Sequence, residues 1–239
     1  MRQNKLKNSL TTQVVNTITI VAAGVFISHV LWRILTPNPS DIAKTITVRI
    51  DGANTGSGAI IEHQADRYLV LSNWHVVSSG GKLISPKLLT VQTADGQKHP
   101  ISAKKIVRVG KLDLAILEFQ SKRRYQTSSI GNSDKLNEGD KLYVAGWSDP
   151  SPQFLTRTYQ LLIGHLSGRI EQPQDGYALV YTINALPGMS GGPVLDHRGN
   201  LVGINGRATV DLRTGTVNSV LGIDINRYLR VSGKLASRK

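Results

Sequence analysis

From residue 45 onward the chain is a series of short alternating or β-branched runs separated by turn residues. No other feature limits the fold as much. Residues 46–50, 58–61, 68–72, 88–92, 114–119 and 141–145 read as strands. Residues 159–163, 178–183, 193–195, 201–204 and 219–223 continue the series. Between them stand Asp51-Gly52, Ala94-Asp95-Gly96, Glu138-Gly139-Asp140 and Arg198-Gly199-Asn200, residue types that turn a hairpin. The 23 glycines suit so many turns and close backbone approaches. No helical period longer than two turns occurs before residues 224–229. Many short strands with regular turns predict an all-β barrel or sandwich. A length of 239 residues accommodates one large core, or two small barrels acting as one domain. The polar stretch 120–137, with Lys122-Arg123-Arg124, is the natural link between two halves.

The first 40 residues differ in character. Residues 1–13 form a basic N-terminus with Arg2, Lys5 and Lys7. Residues 14–35 are 22 mostly apolar positions. A helix of that length, at about 1.5 Å per residue, just crosses a hydrocarbon core of about 30 Å. Asn16, Thr17, Thr19, Ser28, His29 and Arg33 dilute the run, while Trp32 and Arg33 suit an interfacial end. Bulky residues around His29 and Trp32 leave no small-x-small cleavage site. The expectation is an uncleaved transmembrane signal-anchor over 14–35. The basic front stays in the cytosol and the rest of the chain lies outside it, periplasmic or lumenal. A buried soluble helix and a cleaved signal peptide, which would give a secreted protein, are the alternatives. Residues 36–44, with Pro37 and Pro39, read as a linker.

The net charge of +13 raises the question of a nucleic-acid partner, and its distribution answers it. Residues 1–40 carry +4 and residues 225–239 carry +5, neither with any acid, so the body between them holds only +4. A nucleic-acid enzyme places such charge across a face of its folded body, so nucleic acid is not expected as the main partner. The absence of cysteine excludes a disulfide scaffold and a thiolate nucleophile. No His/Asp/Glu group has metal-ligand spacing, so neither a metal nor an organic cofactor is expected.

Three segments carry chemistry. Pro187-Gly188-Met189-Ser190-Gly191-Gly192-Pro193 puts a serine in a glycine-rich turn. A serine nucleophile needs an exposed Oγ and backbone N–H groups aimed at a developing oxyanion, and flanking glycines permit both. Taken alone such a motif is more often a plain turn. Leu71-Ser72-Asn73-Trp74-His75-Val76-Val77 ends a strand on a histidine, the usual general base because its pKa lies near working pH. The other five histidines have no comparable setting. Lys111-Leu112-Asp113-Leu114-Ala115 opens an apolar strand with an acid, costly to bury without a partner.

In the order His, Asp, Ser, these segments resemble the chymotrypsin/trypsin-like serine protease superfamily, and most closely HtrA/Deg-type bacterial or cyanobacterial-like peptidases. Thr55-Gly56-Ser57-Gly58-Ala59-Ile60-Ile61 looks like that family's entry strand, and Ile130-Gly131-Asn132-Ser133-Asp134 like its inter-barrel segment. Leu201-Val202-Gly203-Ile204-Asn205 and Leu221-Gly222-Ile223-Asp224 look like its last strands, so the likeness spans about residues 45–228. It implies two antiparallel β-barrels, 45–120 and 138–228, joined by 121–137 and followed by a short C-terminal helix and a basic tail, 229–239. No PDZ domain is expected after residue 228.

The resemblance also implies a function, a serine endopeptidase acting on proteins or peptides. His75 would be the base, Asp113 its orienting acid, Ser190 the acylated nucleophile, and the Gly188 and Ser190 N–H groups the oxyanion hole. Ile204, Asn205 and Gly206 would bind the substrate main chain, and Leu186 and Asn184 its side chain. Asn184, at the base of the specificity pocket, offers a neutral amide and so implies an uncharged residue before the cut bond. Met189 stands where trypsin's close relatives carry an aspartate, so loop order is expected without an N-terminal ion pair. An inactive protease-like module that binds peptides or partners at a membrane is the rival reading, and an esterase on the same triad a third. The oligomeric state is not legible.

Overall fold

A computed structural model describes residues 38–52, 54–83, 89–210, 213 and 217–233. The predicted anchor at 14–35, the basic segment 1–13 and the end of the tail, 234–239, lie outside the described residues. Among the described residues no helix is long and apolar enough to cross a membrane.

The first half is a seven-stranded antiparallel sheet. Its strands are β1 (Thr47–Asp51), β2 (Thr55–Gln64), β3 (Arg67–Ser72), β6 (Thr90–Gln92), β7 (Lys98–Pro100), β8 (Ile106–Arg108) and β9 (Ala115–Gln120). They run in the order β7-β6-β1-β2-β3-β9-β8. A helical turn, α2 (Trp74–Val77), and a small ribbon of β4 (Ser78–Ser79) and β5 (Lys82–Leu83) follow β3. The second half is a closed barrel of β10 (Lys141–Ser148), β11 (Thr158–Arg169), β12 (Tyr177–Tyr181), β13 (Pro193–Leu195), β14 (Leu201–Val210) and β15 (Val217–Asp224). The predicted pair of barrels is therefore one barrel and one open, half-barrel sheet. The edge strands β7 and β8 are three residues each, and Pro100 removes a backbone donor just where closure would need one.

The predicted linker over 36–44 is a second correction, because α1 (Pro39–Ile46) is helical. Pro39 sits in the first turn, where a missing N–H costs nothing, and the Asn38 side chain accepts from Ser40 N at 3.0 Å. Asp41 and Lys44 lie at the ends that suit their charges, and Ala43 and Ile46 are buried. At the other end α3 (Ile225–Val231) is capped by Asp224, whose side chain accepts from Arg227 N at 2.9 Å.

Alternation sets the cores. In β9, Ala115, Leu117 and Phe119 face inward while their neighbours are half-buried or exposed. Val48, Ile60, Val70, Leu117 and Phe119 fill the open sheet, and Leu142, Val144, Leu179, Val194 and Val202 fill the barrel. A third cluster, with Ala59, Leu71, Leu114, Tyr177, Ile204, Ile223 and Tyr228, joins the halves. Each fully buried aliphatic side chain contributes about 1.5–3 kcal/mol, so the seam where the site lies is held by apolar burial.

Candidate active site

The site is built from the ends of strands on both sides of that seam. β3 runs into α2, which carries His75, with a side chain 46% exposed and open to a substrate. Asn54 Nδ2 donates to the His75 carbonyl at 2.9 Å and to that of Ser78 at 3.1 Å, fixing the turn. Asp113 precedes β9 with its side chain only 11% exposed. Its backbone carbonyl accepts from Trp74 N at 3.2 Å and Asn73 Nδ2 at 3.0 Å, and its N–H donates to the Asp175 carbonyl at 2.9 Å.

The carboxylate of Asp113 grips His75 at two points. Oδ2 lies 2.7 Å from Nδ1, and Oδ1 accepts the His75 backbone N–H at 2.8 Å. Such a double contact fixes both the ring's orientation and the tautomer that keeps Nε2 free to accept a proton. A third donor was not anticipated. The Tyr177 hydroxyl, from β12, donates to Asp113 Oδ2 at 2.5 Å. Burial pushes the Asp113 carboxyl upward. The His75 ring, the Tyr177 hydroxyl and the His75 amide outweigh it and hold the group below its ordinary value. Burial and the neighbouring Asp113 charge push the Tyr177 hydroxyl up, so it stays a donor. A Cβ on Gly206 would lie 2.5 Å from that hydroxyl, so glycine at 206 is what lets tyrosine reach the acid. Sequence pattern concealed this because Tyr177 reads as an ordinary strand aromatic.

Ser190 sits on the predicted turn between β12 and β13. Its Oγ donates to the Gly206 carbonyl at 3.1 Å and makes no hydrogen bond with His75 among the described residues. Gly188 has a φ of 85°, in the left-handed region, and a Cβ there would lie 2.6 Å from the Trp147 carbonyl oxygen. The N–H groups of Gly188 and Ser190 donate to no acceptor among the described residues. Both carbonyls are claimed from the other half of the molecule, because Ser57 N donates to Ser190 O at 2.7 Å and Ser57 Oγ to Gly188 O at 2.9 Å. Met189 is fully buried in the barrel core, and its Sδ accepts from Leu186 N at 3.4 Å.

Behind this turn lies a second unanticipated residue, Arg157, with only 5% of its side chain exposed. Nη1 donates to Ile50 O and Asp51 Oδ1, both at 2.8 Å. Nη2 donates to Gly56 O at 2.9 Å, Trp147 O at 2.8 Å and Gly188 O at 3.3 Å. Nε faces Asp149 Oδ1 at 3.2 Å as an ion pair too bent for a good hydrogen bond. Asp149 in turn donates its N–H to the Pro187 carbonyl at 2.8 Å. That bond orients the peptide whose N–H belongs to Gly188.

The other expected substrate residues fare unevenly. Ile204 is wholly buried and paired on both sides, with Pro193 and Ile223. Asn205 is buried too, and its groups bond Gly191, Gly192, Met189 and Tyr181. Neither has a free main-chain edge, so the open edge of β14 begins at Gly206 rather than at Ile204. Asn184 and Leu186 are exposed on the loop before the Ser190 turn. Asn184 therefore does not floor an enclosed pocket.

Residues 56–204 match the trypsin-like peptidase domain. The chain belongs to that family. It is 31% identical over 154 residues to the serine protease Do-like HtrB of Bacillus subtilis, covering 62% of this chain and 32% of the relative. It is 33% identical over 154 residues to a probable periplasmic serine endoprotease DegP-like of Chlamydia trachomatis, covering 63% of this chain and 27% of the relative. It thus spans about a third or less of the length of these curated relatives. Among solved structures, the HtrA-type protease AlgW with tripeptide superposes with a TM-score of 0.63 at 22% identity over 83% of this chain and 64% of the other. Deg5 superposes with a TM-score of 0.59 at 23% identity over 80% of this chain and 89% of the other. At those identities the superpositions speak for the fold.

Proposed function

We propose that this chain is a serine endopeptidase that cuts peptide bonds through an acyl-enzyme on Ser190. The observation that carries the reading is the two-point contact of Asp113 with His75, together with the N–H groups of Gly188 and Ser190, which are unclaimed among the described residues. Ser190 Oγ leaves the Gly206 carbonyl, gives its proton to His75 Nε2 and attacks the scissile carbonyl carbon. The Gly188 and Ser190 N–H groups take the oxyanion. His75 then hands the proton to the leaving amine, and water repeats the sequence to free Ser190. Asp113 stays a carboxylate throughout, in keeping with its lowered pKa. The substrate main chain adds to the open edge of β14 from Gly206 onward.

No acid precedes Ser190, so the loop 184–190 takes its order from the buried Met189 and from Ser57, Arg157 and Asp149. The full chain behind a noncleavable N-terminal tag is expected to react with a fluorophosphonate, and its Ser190→Ala variant is not. Labelling that survives in Ser190→Ala would overturn the nucleophile. A tagged protein that is inert until trimmed would overturn the account of loop order.

Residues 14–35 anchor the chain in a membrane, with the catalytic body outside the cytosol. The apolar run behind a basic front supports this, as does the word periplasmic in the names of DegP-like relatives. Alkaline carbonate washing is expected to leave full-length protein in the membrane pellet, and its release would count against the anchor.

A further inference from the structure

Arg207 follows Gly206 on β14, and nothing in the reaction so far uses it. Between Asn205 and Arg207 the pairing of β14 with β15 slips by one residue, with Asn205 opposite Gly222 and Arg207 opposite Leu221. Gly206 is thus the extra residue of a bulge, a device that re-aims the side chain after it. Here it turns Arg207 onto Tyr177, with the guanidinium carbon 4.4 Å from the ring centroid. Tyr177 is the residue whose hydroxyl holds Asp113, so Arg207 stands beside the catalytic pair, 39% exposed. Its Nη2 donates to Asp175 Oδ2 at 2.9 Å, the one hydrogen bond its side chain makes among the described residues. The guanidinium lies over a ring on one side and meets an acid at one corner. The rest of its donor fork meets no acceptor among the described residues.

The position of that fork relative to a substrate follows from strand geometry. Ser190 Oγ lies 3.1 Å from the Gly206 carbonyl, so the residue to be acylated lies against Gly206. A peptide pairing antiparallel with the free edge of β14 then runs its preceding residue past Arg207. We infer that Arg207 forms a subsite for an acidic side chain at the substrate position immediately before the acylated residue. The inference rests on the peptidase reading above. Guanidinium is the cation whose planar fork matches a carboxylate, and one pre-set by stacking loses little freedom on binding it. Asp175 does not cancel the site. Its pair with Arg207 is 47% exposed on the acid's side, the kind of contact that water and salt screen, and it orients the fork more than it neutralises it.

The test uses the full chain and two fluorogenic peptides differing only at that position, Glu in one and Lys in the other. The wild type is expected to favour the Glu peptide by about tenfold in kcat/KM at low salt, with the ratio shrinking as salt is added. Arg207→Ala brings the ratio near one, Arg207→Lys keeps part of it, and Arg207→Glu reverses it. Each ratio is taken within one protein, so a general loss of fold or activity cancels. A wild-type ratio near one, a preference for Lys, or a ratio unchanged in Arg207→Ala overturns the subsite while fluorophosphonate labelling at Ser190 still supports the peptidase. A wild type that neither labels nor cleaves overturns both.

Discussion

Ser190→Ala, His75→Ala and Asp113→Asn are each expected to lower kcat by roughly 10³-fold or more, and any double variant to lose little beyond the worst single one. In the proposed mechanism the three groups act as one unit. Without the Asp113 carboxylate the His75 ring loses the contact that selects its tautomer, and without His75 the Ser190 hydroxyl has no base. Near-additive losses in the doubles would overturn the assignment. The same kinetics carry a pH readout for Tyr177. Against the upward push of burial, its hydroxyl helps His75 hold the Asp113 carboxyl below its ordinary value. Tyr177→Phe removes that donor and lets the carboxyl rise, so activity fails at a higher pH as the solution is acidified. An acid limb that stays put, or moves to lower pH, would show that the hydroxyl does not act on the pair.

The largest expected effect on stability belongs to Arg157→Leu. It takes a donor from the carbonyls of Ile50, Gly56 and Trp147 and a charge from Asp51 and Asp149, which are part exposed and keep Arg49 and Thr55 as partners. A buried acceptor left without its donor costs about 1–3 kcal/mol, and several are left here, so the sum is about 3–5 kcal/mol. Urea unfolding is expected to show a loss of that size. Arg157→Lys should recover only part of it, since a point charge cannot serve so many acceptors. The Gly188 carbonyl also loses a donor, so kcat should fall in whatever fraction stays folded. A stability loss under about 1 kcal/mol would mean that water replaces the guanidinium at no great cost.

The strands were legible because their signal is local. The alternation of Ala115, Leu117 and Phe119 and the turn at Glu138-Gly139-Asp140 depend on a few neighbouring residues. The same local grammar hid α1, where Pro37 and Pro39 read as a break although proline in a first turn opens a helix as readily as it ends one. It also could not tell a closed barrel from an open sheet. Closure depends on whether β7 and β8 meet, and those edges are separated in the chain and short.

His75, Asp113 and Ser190 stood out in the sequence because each lies in a short segment of unusual composition, and their order along the chain narrowed what they could build. Tyr177, Arg157 and Arg207 carried no such mark. Each acts on groups 8 to 107 residues away, through contacts created by the meeting of the two halves or by one bulge in β14. A nucleophile's turn is written in consecutive glycines, since backbone conformation is a local property. The hydrogen bonds that orient its partners are decided only when distant strands pack, since whether a polar side chain must find a mate depends on what buries it.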